Sequence, residues 1–170
     1  MKTKLLFISL LIAFSSCSQK QELTLEEKDQ IKTELSTVFD NFVKIYKSLD
    51  PNAVLNYYWD SPDFVIVGAD GSVKDYQGLK KDNEELFKSL SSVKIITAKQ
   101  EYMIVSKEAV VIFWLGRFEA QMKDESLLVF DPDAVTFVFQ KINNEWKITY
   151  QADSALPPVI QQSKTLNKKK

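Results

Sequence analysis

The residue types in this sequence limit its possible chemistry to carboxylate, tyrosine and lysine side chains. The chain contains no histidine, and its single cysteine is Cys17. The absence of histidine excludes histidine general bases, catalytic triads built on histidine and histidine-ligated zinc. An acid–base reaction in this protein would therefore depend on a carboxylate, with a tyrosine as the partner that donates a proton.

Asp133 is the best candidate for a general base. It lies in a segment predicted as a strand, where its carboxylate would lie against Trp114 and Phe118 of the neighbouring strand. Burial against such rings raises the pKa of a carboxyl group, because the charged form loses its hydration. Tyr58 or Tyr150 would then act as the proton donor.

The sequence around Asp133 also has a simpler interpretation. Proline within a strand marks an edge or a bulge, so Asp131-Pro132-Asp133 would be an interruption with both acids in water. The pair also suggests calcium, but two acids without further oxygen ligands or a loop glycine are weak evidence for such a site. We expect no metal and no cofactor.

The first residues have the three parts of a secretory signal. Lys2 and Lys4 precede an apolar run over residues 5–14, which is too short to span about 30 Å of hydrocarbon, and Ser15-Ser16-Cys17 follows. This ending resembles the lipobox of bacterial lipoproteins, although Phe14 stands where leucine is usual. The alternative is an ordinary secreted protein with an incidental cysteine.

The lipobox resemblance implies cleavage after residue 16 and acylation of Cys17. Several acyl chains would hold the protein permanently on a membrane. The expected location is the bacterial cell envelope, on the outer membrane facing the periplasm. An acylated Cys17 would not be available as a thiolate nucleophile.

The rest of the chain is predicted to form one domain. Residues 17–23 read as a lipidated tether, residues 24–156 as the folded domain and residues 157–170 as a flexible basic tail. Without residues 1–16, 20 basic residues stand against 23 acidic ones. This mildly acidic balance gives no electrostatic reason to expect nucleic acid as a partner.

The elements that would position these residues are three helices followed by a long antiparallel meander. Thr24 and Glu27 form a capping box at the start of an amphipathic helix, and Asp50-Pro51 starts a second helix. A short hairpin over residues 64–76 leads to a third helix after Gly78. Four strands are predicted at residues 93–105, 109–122, 127–142 and 146–153. This order predicts an α+β domain.

Alternation along the strands predicts which side chains share a face. With a simple register, Trp114 lies opposite Val135 and Ile112 opposite Phe137, with Tyr150 next to Phe137. These residues form an aromatic face under the helices. The opposite face carries apolar side chains such as Met103 and Phe113, and we expect it to support a homodimer through the back of the sheet.

The order of elements resembles the nuclear-transport-factor-2-like superfamily, which has a cystatin-like α+β cone and includes SnoaL-like cyclases and ketosteroid isomerase. The resemblance runs from about Thr24 to Ser154. It is carried by Tyr57-Tyr58-Trp59-Asp60, by the hairpin at residues 64–71 with Gly78 after it, and by Asn144-Glu145-Trp146-Lys147-Ile148. It implies a curved sheet wrapped around the helices, with a pocket at the open end.

The resemblance also bears on catalysis. The isomerase branch uses a tyrosine on the first helix and an aspartate on the first strand, and these positions fall here on Phe42 and Gly68. Both groups of that mechanism are absent. The sequence therefore favours a pocket that binds a small apolar or mixed-polarity ligand without catalysis.

Two alternatives remain open: a cyclase, isomerase or dehydratase that uses Asp133, and a dimeric interaction module whose cone is filled. The residues predicted to line the pocket are Phe42, Tyr58, Trp59, Gln100, Trp114, Phe118, Asp133, Val135, Phe137 and Tyr150.

Overall fold

The computed structural model describes residues 22–162. Within this range the chain has the predicted α+β class, with three helices and seven strands. Cys17, the predicted signal at residues 1–16 and the end of the predicted tail lie outside the described residues.

The first two helices begin where their capping residues predict. In α1 (Leu25–Tyr46), the Thr24 hydroxyl accepts from the Glu27 N–H, and the Glu27 carboxylate accepts from the Thr24 N–H. These two bonds satisfy donors that a helix start leaves free. In α2 (Pro51–Leu55), Asp50 is the N-cap residue. The buried stripe of α1 consists of Ile31, Leu35, Phe39 and Phe42.

The third helix starts earlier than the sequence predicted. α3 spans Tyr76–Ser89, because the Asp75 carboxylate accepts a 2.8 Å hydrogen bond from the Gly78 N–H and so acts as the N-cap. Asp75 is the kind of residue that satisfies a free donor at this position. Gly78 is therefore the third residue of the helix and does not precede it.

Six strands form a continuous sheet in the order β2-β1-β6-β5-β4-β3. The strands are β1 (Val65–Val67), β2 (Val73–Lys74), β3 (Leu90–Ser106), β4 (Ala109–Met122), β5 (Ser126–Ile142) and β6 (Glu145–Ala155). Neighbours in the β3–β6 meander are antiparallel, and β1 runs parallel to β6. The sheet is open and packs on α1, where the Phe39 and Phe137 rings lie 5.4 Å apart.

A seventh strand corrects the predicted domain boundary. β7 (Val159–Gln162) pairs antiparallel with Ser126–Val129 of β5. The sheet thus continues past residue 156, where the sequence analysis placed the start of a flexible tail. The basic composition of the last residues predicts a tail, but Val159 and Ile160 are apolar and their backbone forms part of the ladder with β5.

The register between β4 and β5 is the predicted one, whereas that between β5 and β6 is not. Trp114 lies opposite Val135 and Ile112 opposite Phe137. In β6, however, an extra residue between the pairs Phe139–Ile148 and Val138–Tyr150 forms a bulge. An extra residue exchanges the faces of all side chains beyond it. Tyr150 therefore pairs with Val138 on the back of the sheet and does not neighbour Phe137.

The back of the sheet exposes part of its apolar side chains. Met103 is 61% exposed and Phe113 is 38% exposed. The homodimer expected through this face stays a prediction. Within residues 22–162, no helix combines the length and the apolar character needed to cross a membrane.

Candidate functional site

A cavity of about 270 Å³ lies between the second half of α1, α3 and the inner face of the sheet. Its wall is mostly aromatic and aliphatic, and Ala69, after β1, lies at an exposed part of the lining. The sheet brings the wall together because inward side chains alternate along β4, β5 and β6. The aromatic members are Phe39, Phe42, Tyr46, Tyr58, Trp114, Phe118, Phe130 and Phe137.

Two carboxyl groups are among the polar groups of this lining. Asp133 is on β5 and Asp153 is on β6, and both are partly buried. Loss of hydration raises the pKa of Asp133 to about 6, and the neighbouring charge of Asp153 adds to this. Burial also raises the pKa of Asp153, although a hydrogen bond from Gln151 opposes the effect.

A chain of hydrogen bonds connects the Asp153 carboxylate in the cavity to the hydroxyl of the buried Tyr58. The Tyr58 hydroxyl donates to Gln151 Oε1 over 2.7 Å, and Gln151 Nε2 donates to Asp153 Oδ1 over 2.7 Å. Tyr58 is only 5% exposed. These bonds fix the orientation of the Gln151 amide and leave part of the Asp153 carboxylate available to a ligand.

Tyr46, at the end of α1, brings a second hydroxyl to the lining. Its pKa is raised because it is buried and because Asp153 and Asp133 are near. Burial likewise raises the pKa of Tyr58. Both tyrosines are therefore neutral at physiological pH and can donate or accept hydrogen bonds.

Trp114 lies over a glycine on the same face of β4. A methyl group on Gly116 would lie 2.2 Å from the Ile96 carbonyl oxygen and 2.5 Å from the Trp114 ring. The Trp114 Nε1 group donates to Thr97 Oγ1 over 2.9 Å. The missing side chain at position 116 and this hydrogen bond together fix the indole as one wall of the cavity.

Most of the predicted pocket residues line this cavity. Seven of them do so: Phe42, Tyr58, Trp114, Phe118, Asp133, Val135 and Phe137. The predicted interruption is present, because the β4–β5 register shifts between the pairs Gly116–Asp133 and Phe118–Phe130. Asp133 is partly buried in the lining, however, and is not fully in water. Asp131 is exposed, and its carboxylate accepts from Arg117 Nη1 over 2.9 Å. Gly68 does not line the cavity, and Ala69 next to it does.

Three predicted residues do not line the cavity. Tyr150 faces the back of the sheet because of the bulge in β6. Gln100 lies opposite Trp114 as predicted, but its amide donates to the Tyr102 hydroxyl, and Tyr102 lies beside Lys32 in the first half of α1. Trp59 instead joins β6, where its N–H donates to the Ile148 carbonyl over 2.9 Å.

Gln151, Asp153 and Tyr46 also line the cavity, although they are not among the predicted pocket residues. The first two follow the bulge in β6, which a simple register for that strand does not include. Tyr46 lies one helical turn after Phe42 on α1. The alternation Gln151–Asp153 would have identified the pair if the bulge had been known. Across the described range, no cluster of acidic or metal-binding side chains is suited to hold a metal ion.

Comparison with known proteins gives structural neighbours only. No family model matches the sequence, and no curated protein matches it. A nuclear-transport-factor-2-like protein from Salmonella enterica superposes with a TM-score of 0.67 at 15% identity, covering 84% of this chain and 99% of that one.

Two further solved structures are similar. A hexachlorocyclohexane dehydrochlorinase from Novosphingobium barchaimii has a TM-score of 0.62 at 8% identity, with 79% of this chain and 95% of that chain covered. A protein from Novosphingobium aromaticivorans assigned as a scytalone dehydratase has a TM-score of 0.69 at 9% identity, with 80% and 91% covered. The described part of this chain therefore has the nuclear-transport-factor-2-like fold.

Proposed function

We propose that this protein binds a small molecule of mixed polarity, and that an acylated Cys17 holds it on a membrane of the bacterial cell envelope. The observation that carries the proposal is the cavity, whose aromatic wall ends at Asp133 and Asp153. Small-molecule sites typically combine a mostly apolar wall with a few fixed polar groups. Some structural neighbours are named as enzymes that act on small molecules, but a shared fold does not transfer an activity.

The first experiment is native mass spectrometry of the protein purified from its own host. We expect a small molecule to leave the protein on collisional activation. Val135→Phe fills the cavity with a ring and should abolish the extra mass. Val138→Phe is the matched control, because it makes the same change on the back of the same strand. Equal occupancy of both variants would contradict the proposal.

A second candidate function is acid–base catalysis by Asp133. It is favoured by the position of Asp133 in the cavity lining, where burial raises its pKa to about 6 and so suits a group that exchanges protons near neutral pH. The tyrosine partner of this mechanism is less well placed. The proton of the Tyr58 hydroxyl is donated to Gln151, and Tyr150 faces away from the cavity.

Proton transfer separates the two functions. Incubation of the protein with 3-cyclohexen-1-one in D₂O would report a carbon acid–base reaction through deuterium uptake or movement of the double bond. Catalysis that disappears in Asp133→Asn would favour the enzyme. A molecule that occupies the cavity and is recovered from the protein without chemical change would favour the binding function.

A further inference from the structure

We infer that the cavity selects an organic cation: a small amine whose ammonium group lies between Asp133 and Asp153 and whose apolar part packs on the aromatic wall. This inference rests on the proposed function, because it names the class of ligand for the same cavity. Three separate properties of the cavity lead to it: the placement of the two carboxyl groups, the charge of the lining and the aromatic rings.

The two carboxyl groups are placed to share one donor. Asp153 lies opposite Val135, and Asp133 is two residues before Val135 on the same strand. The two acids are therefore diagonal neighbours on one face, with backbones roughly 7–8 Å apart. An ammonium nitrogen bonds a carboxylate oxygen at about 2.7–2.9 Å, so one nitrogen can bridge carboxylates at this spacing.

Among residues 22–162, no basic side chain lines the cavity and neutralises these acids. Arg117 lies on β4 close by, but its guanidinium is directed to Glu119 at 2.7 Å and to Asp131 at 2.9 Å. The raised pKa of both Asp133 and Asp153 agrees with carboxyl groups that have lost water without gaining a cation. A buried charge is stabilised by a partner of opposite sign, and here the ligand would supply it.

The aromatic wall suits the same class of ligand. Phe42, Tyr46 and Phe118 lie in the lining together with Trp114. The Tyr46 ring lies 6.1 Å from each of the rings of Phe42 and Phe118. The faces of such rings attract cations, and the carbon skeleton of an amine would gain apolar contact. A molecule with one ring and a short aminoalkyl chain fits within about 270 Å³.

The test uses three probes that differ in charge and little in shape: 2-phenylethylamine, 2-phenylethanol and 3-phenylpropanoate. Binding to the purified full chain would be measured by isothermal titration calorimetry at pH 7. We expect the amine to bind at least about tenfold more tightly than the alcohol, as for a charge-assisted hydrogen bond. The carboxylate probe should not bind measurably.

Three variants locate the effect. Asp133→Asn and Asp153→Asn keep the shape of the side chain and should each weaken amine binding about tenfold, with alcohol binding changed less than about threefold. Asp131→Asn is the matched control outside the lining and should leave both affinities unchanged. The alcohol also reports whether each variant keeps a folded cavity.

The outcomes distinguish this inference from the proposed function. Equal affinity for amine and alcohol, or unchanged amine affinity in both cavity variants, would overturn the inference and leave the cavity as a site for neutral ligands. A neutral or acidic compound released from the native protein would do the same. An empty native cavity that also binds no probe would overturn both.

Discussion

The ionisation of Asp133 is set by residues that are distant from it in the sequence. Its carboxyl group lies in a lining built by α1, β4 and β6, next to Asp153. Partial loss of water and the second carboxylate both disfavour the charged form. The same side chain on the surface would have a pKa near the ordinary value of 3.8. At the scale of a single residue, the partial burial of Asp133 therefore lowers the stability of the folded protein when this carboxyl group is charged. The same burial places in the cavity a group whose ionisation can respond to a ligand.

This effect predicts how stability depends on pH. The folded protein holds the Asp133 proton up to about pH 6, whereas the ordinary pKa is 3.8. Between these values the folded state binds more protons, so the free energy of unfolding falls as the pH rises. Asp133→Asn should reduce the fall between pH 4 and pH 7 by roughly 1–2 kcal/mol, less than the full shift implies because the side chain is partly exposed.

Urea unfolding at several pH values measures this quantity. Asp40→Asn is the control, since Asp40 is exposed on α1 and is not part of the cavity lining. The pH profile of the control should follow that of the unchanged protein. A profile of Asp133→Asn that also follows it would show that Asp133 is as well hydrated in the folded state as in the unfolded chain.

At the scale of secondary structure, β6 decides which polar side chains enter the cavity. The strand begins after the tight turn Asn143-Asn144, and the bulge after Ile148 then brings Gln151 and Asp153 inward. Both turn residues have positive φ, 51° and 68°. This is the backbone of a two-residue hairpin turn whose second position favours glycine.

The turn gives a prediction about stability. Asn144→Gly should raise the free energy of unfolding by up to about 1 kcal/mol, because glycine adopts positive φ without strain. Asn144→Ala should lower it by about 1 kcal/mol, since other L-residues are strained there. Glu108→Ala in the β3–β4 turn is the control and should change it by less than about 0.5 kcal/mol. Thermal unfolding that ranks alanine above asparagine at position 144 would contradict this account.

At the scale of the whole molecule, the proposed anchor would determine where the cavity meets its ligand. A domain held by a tether of residues 17–23 would remain close to a membrane surface, where amphipathic and apolar molecules are concentrated. The cavity would then take its ligand from the envelope. The mildly acidic balance of residues 17–170 agrees with a cationic ligand more than with an anionic one.

Acylation of Cys17 predicts where the protein is found. The unchanged protein should partition into the detergent phase of Triton X-114, and its N-terminal peptide should carry the mass of the lipid. Cys17→Ala should move to the aqueous phase, because the acyl chains hold the protein on the membrane. Ser18→Ala is the control and should stay with the detergent. Retention of Cys17→Ala in the detergent phase would mean that another segment binds the membrane.

Local patterns in the sequence are sufficient to predict the class of the fold and most of the aromatic wall. Helix caps such as Thr24–Glu27 and the alternation along β4 and β5 are local signals, which identify elements and faces without a structure. The same signals placed Asp133 beside Trp114 and Phe118, and the cavity lining contains all three.

The polar end of the cavity and the edge of the sheet depend on contacts between distant parts of the chain. Whether β6 contains an extra residue depends on pairing with β5, and periodicity within one strand does not contain that information. Because of the bulge, Gln151 and Asp153 face the cavity and Tyr150 faces the back of the sheet. β7 likewise depends on a partner strand about 30 residues earlier in the chain. Non-local pairing, which no local pattern encodes, therefore placed a second carboxyl group next to Asp133.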